Sequence, residues 1–300
     1  MFRLSPMLVA AGLCATVLAA PAARAATDCP NDGTVRFGVE PFDSAAKLVP
    51  IYGHLSDLIA SKLGCKVQVF IATSYNAEIE AMRNGKLEFG EFGPLGYVLA
   101  HQVAKAQAVA TFADKNGKPD SYTAGIVTWP GSGITTLEGV KGKSFAYADP
   151  ASTSGHLFPA YWLQKNGIDP DKGVKGYYAG SHAATFEALR NHKVLAGELN
   201  SEQIASATLS GEYKASDYVE LWRSPAIPND PIVVRGDLPA GFKARLTGVL
   251  QNLDLSLLPE NDRKIIGMSG IRLVPQTDGA FDQIRDMVHV LNIDLTKLNS

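Results

Sequence analysis

The feature that most constrains the fold is a regular alternation of two hydrophobic patterns that begins at Thr34. Short segments with apolar residues at every second position, such as 67–71, predict strands. Between them lie longer segments with a helical apolar period, of which 48–63 is the clearest and stops at Gly64. Strands that alternate with helices are typical of an α/β lobe with a largely parallel sheet.

A second strand–helix series occupies 137–222, so the sequence predicts two α/β lobes. We interpret the apolar segment 122–129 as the first crossing between the lobes and 232–234 as the return crossing. The C-terminal part has a helical pattern and is expected to pack back onto the first lobe. The predicted divisions are a leader at 1–25, lobe 1 at 26–125 and 233–300, and lobe 2 at 126–232.

The first 25 residues have the pattern of a cleaved secretory signal. Arg3 supplies the positive charge, residues 7–20 form an apolar run too short to span a bilayer, and Ala23-Arg24-Ala25 fits a cleavage site. The sequence therefore predicts export to the periplasm. An uncleaved membrane anchor is the alternative.

The charge balance argues against nucleic acid as a partner. The 300 residues carry a formal net charge of −2, and loss of the leader, which contains Arg3 and Arg24 and no acidic residue, makes it −4. A protein that binds the phosphate backbone of nucleic acid needs an excess of basic residues on the binding face. With 46% hydrophobic residues, the 300-residue chain has the composition of a globular protein.

Two cysteines, Cys29 and Cys65, remain after removal of the leader. Each lies just before an apparent strand, at 34–39 and 66–71 respectively. If those strands are parallel neighbours joined by a helix, their N-terminal ends are close together and the thiols can meet. A disulfide is expected in an oxidising compartment. A metal site is the weaker alternative, because no CxxC or HxxxH spacing accompanies the two residues.

Residues 149–159, which read Asp-Pro-Ala-Ser-Thr-Ser-Gly-His-Leu-Phe-Pro, join a predicted strand at 143–147 to a predicted helix. A helix that begins at Ser152-Thr153-Ser154-Gly155 presents backbone N–H groups, the positive end of its dipole and several hydroxyl donors to one small volume. Such a turn suits a tetrahedral oxyanion. An ordinary helix cap at Ser152 or Thr153 is the structural alternative.

Four stretches give the chain a family resemblance: 73–83, 149–159, 180–182 and 227–231. With its Asp-Pro-x-Ser-Thr-Ser-Gly and Ile-Pro-x-Asp-Pro segments, the chain resembles the phosphate/phosphite/phosphonate-binding periplasmic proteins of ABC transporters. The resemblance extends across most of the mature chain. It implies a type II binding protein, in which two lobes with mostly parallel sheets flanked by helices are joined by two hinge strands. It also implies a monomer that delivers a small phosphonate to an ABC permease in the inner membrane.

The resemblance implies two sets of ligand-binding residues and no catalytic residue, cofactor or metal. The phosphonate group would be held by Tyr75, Tyr122, Ser152, Thr153, Ser154 and His182. In members that bind 2-aminoethylphosphonate, two carboxylates hold the ammonium group, and these correspond to Glu202 and Asp230. The sequence around Glu202 departs from the family pattern, so a shift in alignment would put Glu198 in its place.

Several alternatives accompany this interpretation. Taken singly, Tyr75 and His182 are ordinary residues for the start of a helix, and Asp230 is an ordinary turn former. A hydrolase built on Ser152 and His182 is the enzyme alternative, but no G-x-S-x-G segment supports it. A binding protein for phosphite, phosphate or arsenate, or one that serves a sensor in place of a transporter, is the other alternative.

Overall fold

A computed structural model describes residues 29–293 of the protein. The predicted signal peptide at 1–25 lies outside this range. The strands are β1 Thr34–Val39, β2 Lys66–Ile71, β3 Phe89–Glu91, β4 Gln107–Phe112, β5 Ser121–Tyr122, β6 Gly125–Thr128, β7 Ser144–Tyr147, β8 Lys175–Tyr178, β9 Ala196–Glu198, β10 Val219–Arg223, β11 Ile227–Pro228, β12 Pro231–Val234 and β13 Leu273–Val274.

The helices alternate with these strands through most of the chain. They are α1 Pro30–Gly33, α2 Ala45–Leu63, α3 Tyr75–Arg83, α4 Pro94–Ala104, α5 Phe158–Lys165, α6 His182–Arg190, α7 Ser201–Leu209, α8 Ala240–Gln251, α9 Glu260–Ile265 and α10 Asp282–Val290. Across residues 29–293, none of the helices is both long enough and apolar enough to span a bilayer.

The first lobe contains a six-stranded sheet with the order β13-β4-β12-β3-β1-β2. β1 pairs in parallel with β2 and β3, whereas β12 is antiparallel to both of its neighbours, β3 and β4. The edge strand β13 is antiparallel to β4. Four of the six strands therefore run in the same direction, which is the sense in which the sheet is mostly parallel, as predicted. The two reversed strands, β12 and β13, come from the C-terminal part of the chain.

The second lobe contains a five-stranded sheet with the order β10-β6-β9-β7-β8, which repeats the pattern of the first. β7 pairs in parallel with β8 and β9, and the reversed strand β6 lies between β9 and β10. β6 is the first strand that the chain forms after it enters the second lobe, and β12 is the first strand of the sheet that it forms after it returns to the first lobe. Each of them runs opposite to its neighbours in the sheet. Each is hydrogen-bonded on both sides, so each lobe is completed by chain that arrives from the other.

The two crossings pair with each other in a short antiparallel ribbon. Tyr122 of β5 is opposite Ile227 of β11, and Ser121 is opposite Pro228. The predicted continuous crossing strand at 122–129 is divided into β5 and β6. The predicted return crossing at 232–234 instead belongs to β12, in the interior of the first sheet. Pro231 is tolerated there because it is the first residue of the strand, a position at which proline is found in sheets.

The expectation that the C-terminal helices pack on the first lobe holds for α8, whereas α9 contacts α7 of the second lobe. Phe242 and Leu246 of α8 belong to the same hydrophobic cluster as Phe37 and Phe89, whose rings stack with centroids 4.4 Å apart. The helix α10 covers the other side of the lobe, where Ile284 lies in a cluster with residues of α3 and α4. These contacts bury apolar surface that the first lobe would otherwise expose.

The predicted disulfide is confirmed: Cys29 and Cys65 are bonded, with their Cα atoms 5.9 Å apart. The two residues are close because β1 and β2 are parallel neighbours, with Thr34 opposite Lys66 at their N-terminal ends. The bond closes a loop with a sequence separation of 36 residues, which contains β1 and α2.

Reduction of this disulfide should lower the thermal stability of the protein. In the chain-entropy model a loop of this length contributes about 3–4 kcal/mol, which corresponds to a melting temperature lower by roughly 5–10 °C. Calorimetric melting with and without a reductant measures the difference. The double variant Cys29→Ser/Cys65→Ser is the control, since its melting temperature should not respond to reductant. An unchanged melting temperature for the reduced native protein would contradict the expectation.

Candidate functional site

The candidate site lies between the lobes, at the edge where parallel strands of both sheets end. Glu91 is the last residue of β3, and Asp230 immediately precedes the reversed strand β12. From the second lobe, the turn at Ser152 follows β7, and Glu202 lies in the first turn of α7 after β9. Ligand sites of α/β sheets form at the carboxyl ends of their strands. The topology therefore assembles residues that are far apart in sequence.

One cavity at this edge collects all eight residues that the sequence predicted as a ligand site. Its volume is about 40 Å³, counted as the space open to the centres of water-sized molecules, which is room for about three water molecules. The predicted residues that line it are Tyr75, Tyr122, Ser152, Thr153, Ser154, His182, Glu202 and Asp230.

The Ser152 hydroxyl caps the helical turn that follows it. Its Oγ accepts the backbone N–H of Gly155 at 3.1 Å, at the start of a single wide π turn over Thr153–Leu157. A side chain at Gly155 would not fit, because its Cβ would lie 2.4 Å from the Cβ of Ala148 and 2.9 Å from Cε1 of His182. The turn is thus a helix cap, as the structural alternative predicted, and it also lines the cavity; oxyanion binding at this turn stays a prediction.

His182 is fixed by a buried chain of hydrogen bonds. Its Nδ1 lies 2.9 Å from Oε1 of Glu198, and its Nε2 lies 3.2 Å from Oγ of Ser152. Burial opposes a charge on the ring, but the nearby Glu198 carboxylate favours it, and the net effect raises the pKa of His182. Glu198 is fully buried behind His182, whereas Glu202, four residues later, lines the cavity.

Thr153 and Ser154 join neighbouring elements around the cavity. The Thr153 Oγ1 accepts the backbone N–H of Leu95, in the first turn of α4, at 2.8 Å. This hydrogen bond connects the second lobe to the first. The Ser154 Oγ accepts a hydrogen bond from Nδ2 of Asn200 at 3.1 Å. Tyr122 belongs to the ribbon between the lobes, so hydroxyl groups from both lobes and from the hinge surround one volume.

The predicted carboxylates lie in a region with few compensating groups. Glu202 Oε1 accepts a hydrogen bond from Asn229 Nδ2 at 3.3 Å. Asp230 Oδ1 has no hydrogen-bond partner among residues 29–293. Burial raises the pKa of Glu202 to about 7, although the charge of His182 opposes this. Burial, followed by the charges of Glu202 and Glu91, raises the pKa of Asp230.

The sequence analysis missed seven polar residues that also line the cavity: Glu40, Asp43, Glu91, Asn200, Gln203, Ser206 and Asn229. Glu40 follows the last residue of β1, and Glu91 ends β3. An acidic residue at the carboxyl end of an otherwise apolar strand was the available signal for both glutamates. The two asparagines gave no comparable signal, since asparagine is common in turns and at helix starts.

The described part of the cavity wall contains no lysine and no arginine. Within residues 29–293, no group of three or more His, Cys, Asp and Glu side chains is arranged to hold a metal ion. The site therefore offers hydroxyl groups, backbone N–H groups and one histidine as donors, and several carboxylates as acceptors.

This fold and this site define a type II periplasmic binding protein, in which a small ligand is held between two α/β lobes joined by a hinge. A family model described as the phosphonate periplasmic substrate-binding protein of ABC transporters matches residues 37–278. The chain belongs to this family, whose members bind a substrate for an ABC transporter and are not enzymes. Membership of the family implies that the protein acts in the periplasm.

Relatives and solved structures agree with this assignment. The chain is 30% identical over 227 residues to the phosphonates-binding periplasmic protein of Escherichia coli (strain K12), which covers 74% of this chain and 67% of the relative. It is 23% identical over 281 residues, 88% of either chain, to the phosphate-import protein PhnD of Mycolicibacterium smegmatis. The structure of PhnD1 from Prochlorococcus marinus in complex with methylphosphonate is similar in fold, with a TM-score of 0.75 at 22% identity, covering 87% of this chain and 99% of that chain.

The ligand-free protein should lose stability as the pH rises from about 5 to 8. Burial raises the pKa of Glu91 from 4.5 to about 8, and that of Glu202 from 4.5 to about 7. At pH values between its pKa in the unfolded chain and its pKa in the folded protein, each group binds more protons in the folded protein. Each group therefore lowers the free energy of unfolding by up to about 1.4 kcal/mol for every unit by which the pH rises. The raised pKa of His182 acts in the same direction.

Chemical denaturation of the ligand-free protein at pH 5, 6, 7 and 8 measures this slope. Glu202→Gln should flatten the profile, because the amide does not titrate. Glu187→Gln, which changes an exposed glutamate outside the cavity, is the matched control and should leave the slope unchanged. A native profile that is level or rises with pH over this range would rule out the expected protonation of the buried carboxyl groups.

Proposed function

We propose that the protein is the periplasmic binding component of a phosphonate ABC transporter and that its ligand is 2-aminoethylphosphonate. The observation that carries the proposal is the composition of the cavity. Hydroxyl donors and carboxylate acceptors line one small volume, and the described residues around it include no lysine or arginine. A ligand with an anionic group at one end and a cationic group at the other matches both sets.

The phosphonate group would be held by the Ser152 turn together with Tyr75, Tyr122 and His182. Its three oxygens need several donors, and hydrogen bonds to an ionised acceptor are about twice as strong as neutral ones. The hydroxyl groups and N–H groups of a helix start provide these bonds without a fixed cation. His182 adds an adjustable donor, since the Glu198 carboxylate favours its protonated form.

The ammonium group would be held by Glu202 and Asp230. The Asp230 Oδ1 has no partner within the described chain, and Glu202 has a hydrogen bond from Asn229 to one of its oxygens. A primary ammonium supplies both hydrogen-bond donors and the missing positive charge.

Ligand binding would favour the closed arrangement of the lobes. The Thr153–Leu95 hydrogen bond and the cavity between the lobes both require closure. The β5–β11 ribbon is the natural hinge, because both crossings of the chain pass through it. A monomeric protein in its closed, ligand-bound form would then be recognised by an inner-membrane permease.

An inorganic oxyanion such as phosphate or phosphite is the second candidate ligand. The raised pKa values of Glu91 and Glu202 favour it, because protonated carboxyl groups make the cavity less negative. The phosphate-import function in the name of the Mycolicibacterium relative also supports it.

Isothermal titration with 2-aminoethylphosphonate, methylphosphonate, phosphite and phosphate at one pH and salt concentration separates these candidates. We expect the aminophosphonate to bind at least about 100-fold more tightly than the others, or about 2.7 kcal/mol. Of the four ligands, only 2-aminoethylphosphonate has an ammonium group that can pair with the carboxylates. If phosphate or phosphite bound most tightly, the assignment of the Ser152 turn to the anion would be retained, and the assignment of Glu202 and Asp230 to an ammonium group would be wrong.

Substitutions in the two halves should have different effects on two ligands. Ser152→Ala removes a donor to the phosphonate group, so it should weaken methylphosphonate and 2-aminoethylphosphonate alike, by about 10- to 100-fold. Asp230→Asn removes a negative charge near the ammonium group, so it should weaken the aminophosphonate and spare methylphosphonate. Titration of each variant, with melting curves to check folding, measures the contrast. Equal losses for both ligands in both variants would contradict this division of the site.

A further inference from the structure

A third buried carboxylate, Glu91, has a free oxygen at the cavity wall. Glu91 lines the cavity and is only 6% exposed. Its Oε1 accepts a hydrogen bond from the hydroxyl of Tyr52 at 2.9 Å. Its Oε2 has no hydrogen-bond partner in the described part of the chain. A buried carboxylate oxygen without a partner carries a large desolvation cost, which a ligand cation would offset.

The surrounding structure holds Glu91 in place. Its backbone lies opposite Val39 of β1 and Ile232 of β12, so strands fix it on both sides. Tyr52, which holds one oxygen, is fully buried on α2. The side chain therefore has little freedom to turn away from the cavity, and the oxygen that Tyr52 leaves free has a defined position.

The other buried carboxylates of the first lobe are placed differently. Glu78 has two oxygens without a partner in the described chain, but it does not line the cavity. Its Oε1 faces the sheet, 2.5 Å from where a Cβ on Gly38 would lie. Glu40 does line the cavity, and its Oε1 also has no partner in the described chain, but that oxygen faces Gly96 of α4, where a Cβ would lie 2.4 Å away. Its Oε2 accepts the Gly93 N–H at 2.9 Å.

Glu91 lies in the electrostatic neighbourhood of the two carboxylates assigned to the ammonium group. After burial, the charge of Glu202 helps to raise the pKa of Glu91. The charge of Glu91 in turn contributes to the raised pKa of Asp230. The hydroxyl of Tyr52 acts in the opposite sense on Glu91. The Glu202 charge therefore acts on both Glu91 and Asp230, which is consistent with three groups that line the same cavity.

We propose that Glu91 is a third ligand-binding carboxylate, which joins Glu202 and Asp230 around a primary ammonium group. This inference rests on the proposed function, and it restricts the expected ligands to phosphonates that carry a primary amine. A primary ammonium has three N–H donors, so three acceptors satisfy it completely. A methylated nitrogen has fewer donors and more bulk. The protein should therefore select phosphonates with a primary amine over their N-methylated counterparts.

Titration of Glu91→Gln with 2-aminoethylphosphonate, its N-trimethyl analogue and methylphosphonate tests the inference. The native protein should prefer the primary amine over the trimethyl analogue by at least about 100-fold. Glu91→Gln should weaken 2-aminoethylphosphonate at least about tenfold and leave methylphosphonate within about twofold. Tyr52→Phe should give a smaller loss with the same ligand pattern, because it loosens Glu91 and leaves its charge in place.

Glu78→Gln is the control, because it replaces another buried glutamate that does not line the cavity. It should leave all three affinities within about twofold. Melting curves establish that each variant is folded. If Glu91→Gln and Tyr52→Phe both retain native affinity for 2-aminoethylphosphonate while Asp230→Asn loses it, Glu91 has no role and the proposed function stands. If the native protein binds methylphosphonate as tightly as 2-aminoethylphosphonate, the proposed function fails and the inference fails with it.

Discussion

The carboxyl groups of Glu91, Glu202 and Asp230 line one cavity to which the described residues contribute no lysine or arginine, and this imbalance constrains the rest of the site. An ionised carboxylate removed from water costs several kcal/mol unless a cation compensates it. Burial raises the pKa of all three groups, and the charge of Glu202 adds to the effect on the other two. A cationic ligand relieves this cost, whereas a purely anionic ligand leaves it in place.

The contacts between the lobes fit a protein whose closure depends on its ligand. The Leu95 N–H donates to Thr153 Oγ1 at 2.8 Å, and the Ala183 N–H donates to the Phe42 carbonyl at 3.3 Å. Neutral hydrogen bonds of this kind each contribute about 0.5–1.5 kcal/mol. When they are ionised, the clustered carboxyl groups of Glu91, Glu202 and Asp230 add an electrostatic cost to closure. A ligand that neutralises them therefore has a direct means of shifting the equilibrium towards the closed form.

The sequence predicted the parts of the fold and site that depend on local patterns. The Ser152 turn and the Cys29–Cys65 pair are examples, since each is tied to the end of a recognisable strand or helix. Glu91 was missed because a buried three-residue strand gives no sign of which way its acidic residue points. Its partner Tyr52 lies 39 residues earlier on a helix, and the pairing exists only after the sheet forms. The two-residue strand β13 is too short to leave a periodic pattern.

The raised pKa values alter the physical basis of selectivity. With pKa values of about 8 and 7, Glu91 and Glu202 hold much of their proton near neutral pH, so electrostatic repulsion of phosphate or phosphite is weaker than fully ionised carboxylates would produce. An ammonium group would instead displace these protons and leave the carboxylates ionised. Preference for an aminophosphonate then depends on the gain from forming ion pairs in a buried site, reduced by the free energy of releasing the protons. Under the proposed function, that release becomes easier as pH rises, so the preference for a cationic ligand would strengthen towards alkaline pH until the ligand amine itself loses its proton.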